Sequence, residues 1–223
     1  MTGPPSLDVY EAMRTTRAVR RFRPDPVPDD VLARCLEAAS WAPSGSNRQA
    51  WRFVVLRSPE VRSVLGPAYR QGWADMAPGY GGADPDPADT SPRARLLRTM
   101  RHFVEHFEEV PVYVLFCVAA REREVQLADG ASVYPGVQNF LLACRAEGLG
   151  AVMTSWFLYA ERELRDVVGI PADWLLAALV PVGWPVGGHG PVRRRPLAEL
   201  ASLDRWDNPF PVTPPDPSAP PDP

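Results

Sequence analysis

The sequence contains no lysine: all 24 Lys and Arg positions among its 223 residues are arginine. That absence excludes Schiff-base chemistry, and with it the phosphate-binding loop whose pattern needs a lysine to reach terminal phosphates. Cysteine is scarce. Cys35, Cys117 and Cys144 are widely spaced in apolar surroundings, so they read as buried small hydrophobes of a reducing compartment and not as a disulfide framework. No apolar run approaches the roughly 18 residues needed to cross a bilayer. The opening MTGPPSLDVYEAM also lacks the charged-then-apolar order of a signal peptide. A soluble cytoplasmic protein without a membrane partner is expected.

A hydrophobic content of 45% is enough for an ordinary core, and a chain of this size buries roughly 70–75% of its extended surface on folding. One domain over residues 1–210 is expected, followed by a disordered proline-rich tail over 211–223. The formal net charge is −3. Against that mildly acidic background the stretch RTTRAVRRFRPDP, with Arg14, Arg17, Arg20, Arg21 and Arg23, stands out as a local feature. A nucleic-acid binder would spread basic charge along a face or a groove, so a small anionic ligand is the better match.

Capping residues and apolar spacing predict helices over about 7–17, from Pro28 to Pro43, and over about 60–74, 93–108, 132–147 and 160–168. Strands are expected at Trp51–Leu56, in VPVYVLFCVAA, near 150–156 and within LLAALVPVGWP. The order α-α-β-α-α-β-α-β-α-β suggests an α+β layer architecture. Residues 76–92, rich in Gly, Pro and Asp, are expected to form a mobile loop or lid.

Several groups of residues are candidates for chemistry. His102, Glu105 and His106 match an H-x-x-E-H spacing, but a third ligand is missing and the simpler reading is a polar helix face, so no metal is expected. WAPSGSNRQAWRF places small and amide-bearing residues between a helix and a strand, where Ser44, Ser46, Asn47 and Gln49 offer donors and acceptors to a heterocycle edge. Gln138 and Asn139 either pair across an interface or point at a ligand. Arg193, Arg194 and Arg195 would ordinarily be a solvated loop, yet with the early cluster they could converge on one phosphate.

TTRAVRRFRPDPVPDDVL, EAASWAPSGSNRQAWRFVV, GVQNFLLACRAEGLGAV and VPVGWPVG…RRRPL, in this order and spacing, together resemble the nitroreductase-like FMN-dependent flavoprotein family over most of residues 8–206. The resemblance implies a three-layer α+β fold with a central, mostly antiparallel sheet flanked by helices. It further implies an intertwined homodimer with FMN at the subunit interface. Carried over residue by residue, it assigns the FMN phosphate to Arg17, Arg20 and Arg21 and to the late Arg193 and Arg195. Pro43, Ser44, Gly45, Ser46 and Asn47 fall beside the ring and ribityl chain, and Met153, Thr154 and Ser155 present backbone to the central edge of the flavin. Thr16, Ala18 and Ala50 depart from the family pattern, which often has a basic residue, a serine and a proline there.

The activity implied is hydride transfer between NAD(P)H and a small acceptor such as a nitroaromatic, quinone or activated alkene. NAD(P)H would bind only transiently over the flavin, no catalytic side chain is assigned, and Trp73, Tyr80 and Phe103 are candidates to cover the ring. The alternatives are an oxidase or dehydrogenase that desaturates a small metabolite with oxygen as acceptor, and a non-catalytic flavin-binding protein.

Overall fold

The computed structural model describes residues 7–80, 85–119 and 127–211, and the proline-rich tail lies outside them save for Pro211. The chain divides into two units, Met1–Pro191 and Val192–Pro223. In the first, the elements are α1 (Val9–Thr15), α2 (Asp29–Ser40), β1 (Trp51–Leu56), α3 (Pro59–Met76), α4 (Pro92–Glu105), β2 (Val112–Ala119), α5 (Leu127–Ala146), β3 (Gly150–Ala151), α6 (Glu161–Val168) and β4 (Trp174–Gly183). This is the order read from the sequence. The boundaries follow local chemistry: Asp8 caps α1, Ser58 and Ser91 cap α3 and α4 ahead of a first-turn proline, and Gly169 ends α6 in the left-handed region.

The four strands form one antiparallel sheet in the order β1-β2-β4-β3. β2 is buried on both faces. Val112, Val114, Phe116 and Val118 turn toward α2 and α5, while Tyr113, Leu115 and Cys117 turn toward α3 and α6. Two apolar layers thus sandwich the sheet, which gives the three-layer α+β arrangement expected. A bulge between Phe116 and Cys117 frees the carbonyl of Ala177, which accepts the Tyr134 hydroxyl at 3.1 Å.

The α2–α5 layer is locked by Arg34, whose guanidinium grips Glu147 at 2.9 and 2.8 Å. Asn139 is part of the same lock, because its amide donates to the carbonyl of Ala38 at 3.3 Å. The three cysteines are buried free thiols, as their apolar surroundings suggested. Among the described residues no helix is long and apolar enough to cross a membrane. In the second unit, residues 192–211 hold a short 3-10 turn at Leu197–Glu199 and an isolated bridge between Ser202 and Pro209.

Close approach at β3 requires glycine. Gly148 turns with φ of 78°, and a Cβ at Gly150 would sit 2.5 Å from Val19 Cγ1. Gly150→Ala should therefore lower the unfolding free energy by about 1–3 kcal/mol, measured by urea denaturation. Gly79→Ala, where an added Cβ meets nothing within 4 Å, should change it by less than about 0.5 kcal/mol. Equal effects at the two positions would contradict the packing account.

Candidate active site

The arginine-rich stretch is an extended strap laid along the β3 edge of the sheet. Ala18 bridges Ala151 in parallel and the Val19 amide donates to the Ala151 carbonyl at 3.0 Å. Farther on, Val186 donates to Arg21 at 3.0 Å and Arg23 to Trp184 at 2.8 Å. Proline spacing explains why this segment stays extended: Pro24, Pro26 and Pro28 deny it helical hydrogen bonds. Trp184 secures its end, since the indole N–H donates to the Pro26 carbonyl at 3.1 Å and Arg23 lies over the ring.

Beside the strap, residues 152–155 continue β3 irregularly. The amides of Val152 and Thr154 donate to Pro181 and Leu179 of β4. Alternation along extended backbone turns the intervening amides of Met153 and Ser155 away from β4. Among the described residues neither of these two amides donates to a protein acceptor. Thr154 is held from a second direction by Tyr69, whose hydroxyl donates to Thr154 Oγ1 at 3.1 Å. Tyr69 is fully buried, stacked on Phe107 and edge-on to Trp156. Burial pushes its phenol far up, so it stays a neutral donor.

Met153 and Ser155 line a cavity of about 400 Å³, within the range of roughly 300–1,000 Å³ typical of ligand sites. Arg20 and residues Val152–Trp156 form one wall; Trp73, Met76 and Tyr80 from the end of α3, with Leu97, Met100 and Phe103 of α4, form the other. Trp73, Tyr80 and Phe103, the aromatics singled out in the sequence, all line it. The described part of the 76–92 segment is tied to α4: Arg93 donates to the Tyr80 carbonyl, and Arg98 to the carbonyls of Asp86 and Asp89.

On another side of the strap lies a smaller hollow of about 170 Å³ lined by Arg17, Arg20, Arg21, Thr99 and His189, among others. Its electrostatics are unbalanced. Among the described residues Arg17, Arg20 and Arg21 enter no ion pair, whereas Arg14, Arg23, Arg34, Arg57, Arg70 and Arg165 each face a carboxylate. Burial lowers the pKa of Arg20. Among the described residues no hydrogen-bond partner satisfies either buried ring nitrogen of His189, which lies next to Arg17, Arg145 and the backbone of Leu149. Unpaired guanidinium and unsatisfied imidazole around one hollow are what an anionic group would complete.

The Pro43–Asn47 segment lies elsewhere. It follows α2, on the α2–α5 side of the sheet, and among the described residues none of Pro43, Ser44, Gly45, Ser46 and Asn47 lines the 400 Å³ cavity on the other side. The segment is a strained 3-10 turn in which Ser46, Asn47 and Gln49 all have φ between 51° and 55°. Ser44 Oγ accepts the Gln49 amide at 2.9 Å and offsets part of the strain. In the second unit Arg193, Arg194 and Arg195 are exposed, and Arg194 donates to the Arg193 carbonyl at 2.9 Å.

His102 and His106 stack with ring centroids 4.1 Å apart, and among the described residues no group of three or more His, Cys, Asp or Glu side chains is placed to hold a metal. Sequence reasoning missed Tyr69 and His189. The first is one apolar position of an amphipathic helix, and the second a lone histidine in a glycine-rich loop, so neither carries a local signal.

Burial holds the imidazole of His189 below the ordinary 6.5, reinforced by Arg145 and Arg17 and opposed by the Leu149 backbone. His102 is lowered by burial, then by His106 and Arg21, against Glu105 and Glu109. A histidine whose folded value is lowered stabilises the fold fully above its unfolded value and loses that contribution as pH falls through the folded one. Melting temperature of the ligand-free protein should thus fall between about pH 7.5 and about pH 5.5. The drop should be smaller in a His102→Gln/His189→Gln variant; an equal drop would show that other groups control acid stability.

The nitroreductase family model matches residues 13–184. An NADH dehydrogenase of Thermus thermophilus is 32% identical over 201 residues, covering 88% of this chain and 96% of its own. A 5,6-dimethylbenzimidazole synthase of Rhodospirillum rubrum is 28% identical over 206 residues, covering 88% of each chain. Among solved structures, a nitroreductase from Desulfovibrio desulfuricans in complex with FMN superposes with a TM-score of 0.64 at 28% identity, over 92% of this chain and 99% of that one. The arginine strap, the backbone wall at 152–155 and the three-layer frame that carries them all fall within the matched span, and the chain belongs to the nitroreductase family.

Proposed function

We propose that this chain is an FMN-dependent oxidoreductase that passes hydride from NAD(P)H to a small acceptor. The observation that carries the reading is the strap itself: Arg17, Arg20 and Arg21, which enter no ion pair among the described residues, border an anion-sized hollow, and Arg20 also lines the ligand-sized cavity. Bound there, FMN would supply hydride exchange at its ring, chemistry that no side chain of this protein performs. The residues supply everything else. Arg17, Arg20 and Arg21 neutralise the phosphate, with Arg193 and Arg195 as further ligands by family resemblance. The backbone amides of Met153 and Ser155 donate to the ring edge, and Thr154, braced by Tyr69, keeps that stretch in register.

A homodimer belongs to the same proposal. Residues 43–47 and the cavity lie on opposite sides of the sheet, so a second copy would bring its own Pro43–Asn47 segment to the flavin. Val9, Tyr10 and Met13 of α1, Trp41 after α2 and Tyr134 of α5 are exposed. Exposed apolar groups gathered on one layer favour association. Trp73, Tyr80 and Phe103 would cover the ring and exclude water, and acceptor choice among nitroaromatics, quinones and activated alkenes would rest on them.

Purified protein should be yellow and release FMN on heating. Arg20→Ala should weaken FMN binding by about 1.5–3 kcal/mol, roughly 10- to 100-fold, in a fluorescence titration. Arg70→Ala, which only loses Glu108 on the surface, should leave it unchanged. A colourless protein that takes up no added FMN would overturn the reading. Anaerobic bleaching by NADPH or NADH tests the direction of transfer; peroxide production from a metabolite without either nicotinamide would instead favour the oxidase reading.

A further inference from the structure

A second cavity of about 280 Å³ lies between the strap and the C-terminal end of α4, and of its lining the proposed chemistry uses only Arg20, Arg21 and Phe103. Its basic side is made by Arg20, Arg21, His102 and His106. Its other walls are apolar, with Phe22 and Phe103 as aromatic faces and Val110 and Val186 as aliphatic ones. Glu109 is the single carboxylate on the lining. His106 Nδ1 is engaged with the His102 carbonyl at 2.8 Å, which orients the ring and leaves its Nε2 to other partners. The electrostatic influence of Arg21 on His102 confirms that the guanidinium and the imidazole pair share one neighbourhood.

We propose that this cavity is a second ligand site, adjoining the cofactor site and sharing Arg20 and Arg21 with it, and that it takes a small aromatic carboxylate. Charge selects the head group. With FMN absent, the two guanidinium groups against the Glu109 carboxylate leave one positive charge, which a monoanion balances and a phosphate dianion overshoots. Shape selects the body: two phenyl rings and two valines suit a flat ring set edge-to-face or offset against them, and the volume admits a single ring and not a nucleotide. Arg20 lines this cavity and the larger one, so both ligands lie within reach of one guanidinium.

The site also carries a pH dependence with a definite sign. His102 is faced by His106, Arg21, Glu105 and Glu109, and Arg20 completes the basic lining. As pH falls His102 gains charge while a carboxylate ligand, ionising near about 4, keeps its own. Binding therefore tightens toward acid.

The test is calorimetric titration of the purified protein, with its FMN content measured and with FMN both present and stripped. Benzoate, benzamide and inorganic phosphate are the probes, at about pH 7.5 and about pH 6. Benzoate should bind one equivalent to the stripped protein, about tenfold or more tightly than benzamide and more tightly at the lower pH, and should bind more weakly once FMN draws on the shared arginines. Glu109→Gln should strengthen it, and His102→Gln should abolish the pH dependence. Benzamide binding as well as benzoate would overturn the proposal, as would phosphate binding more tightly. Benzoate affinity untouched by both variants would also overturn it, by placing the probe over the flavin. A protein that takes up no FMN yet binds benzoate as described would sink the proposed function and leave this site standing.

Discussion

Between Ala18 and Arg23 the chain has almost no freedom: Ala151 holds one end of the segment, Trp184 and Val186 hold the other, and every bond is backbone to backbone. This clamp decides where the guanidinium groups stand. Arginine is long and carries about 2 kcal/mol of rotamer entropy, so a flexible loop of arginines would spread its charge through solvent. Extended backbone instead alternates the side chains, and the same strap borders three cavities. The tight approach of Val19 to Gly150 is what lets the strap lie this near the sheet. Without lysine, the protein relies on planar, permanently charged forks, suited to oxyanions and slow to deprotonate even where burial lowers their pKa, as at Arg20.

A second constraint comes from strand alternation at 152–155. Bonds from Val152 and Thr154 to β4 commit every other amide inward, so the outward pair at Met153 and Ser155 follows without any special residue. That explains why the stretch carries so little sequence signal: any side chain serves if the backbone is held. Tyr69 supplies the holding from α3, through a hydrogen bond that stays intact because burial keeps the phenol protonated. The site's rigid part is therefore made of backbone, and its adaptable part of the aromatic and methionine side chains at the ends of α3 and α4.

Much of the frame was legible in the sequence, and for identifiable reasons. β1 was readable to the residue because Trp51, Phe53, Val54 and Val55 crowd β-branched and aromatic residues into the six positions from Trp51 to Leu56, and β2 because it is apolar on both faces. α5 begins at Leu127, earlier than its stripe of Val137, Phe140 and Cys144 suggested, because Pro135 masks the periodicity of its first turns. Arg17, Arg20 and Arg21 were found by charge contrast, and Trp73, Tyr80 and Phe103 by type. Asn139, left open between an interface and a ligand, instead ties α5 to α2. Tyr69 and His189 were not readable, since their roles come from a partner 85 positions away in one case and, in the other, from ring nitrogens left unsatisfied among the described residues.

The two cavities that share Arg20 differ in the way their charge is set. Around the larger one the positive charge is fixed, because guanidinium does not titrate in the physiological range. Around the one beside α4 it varies, because the His102 imidazole lies next to the same strap and Glu109 offsets part of the total. A ligand held by fixed charge stays bound as conditions change, as suits a resident cofactor; one held by variable charge exchanges with pH and concentration. Placing both against one immobile strap lets a change at the titrating cavity reach Arg20 without moving the backbone, since a guanidinium turned toward one anion is turned from the other.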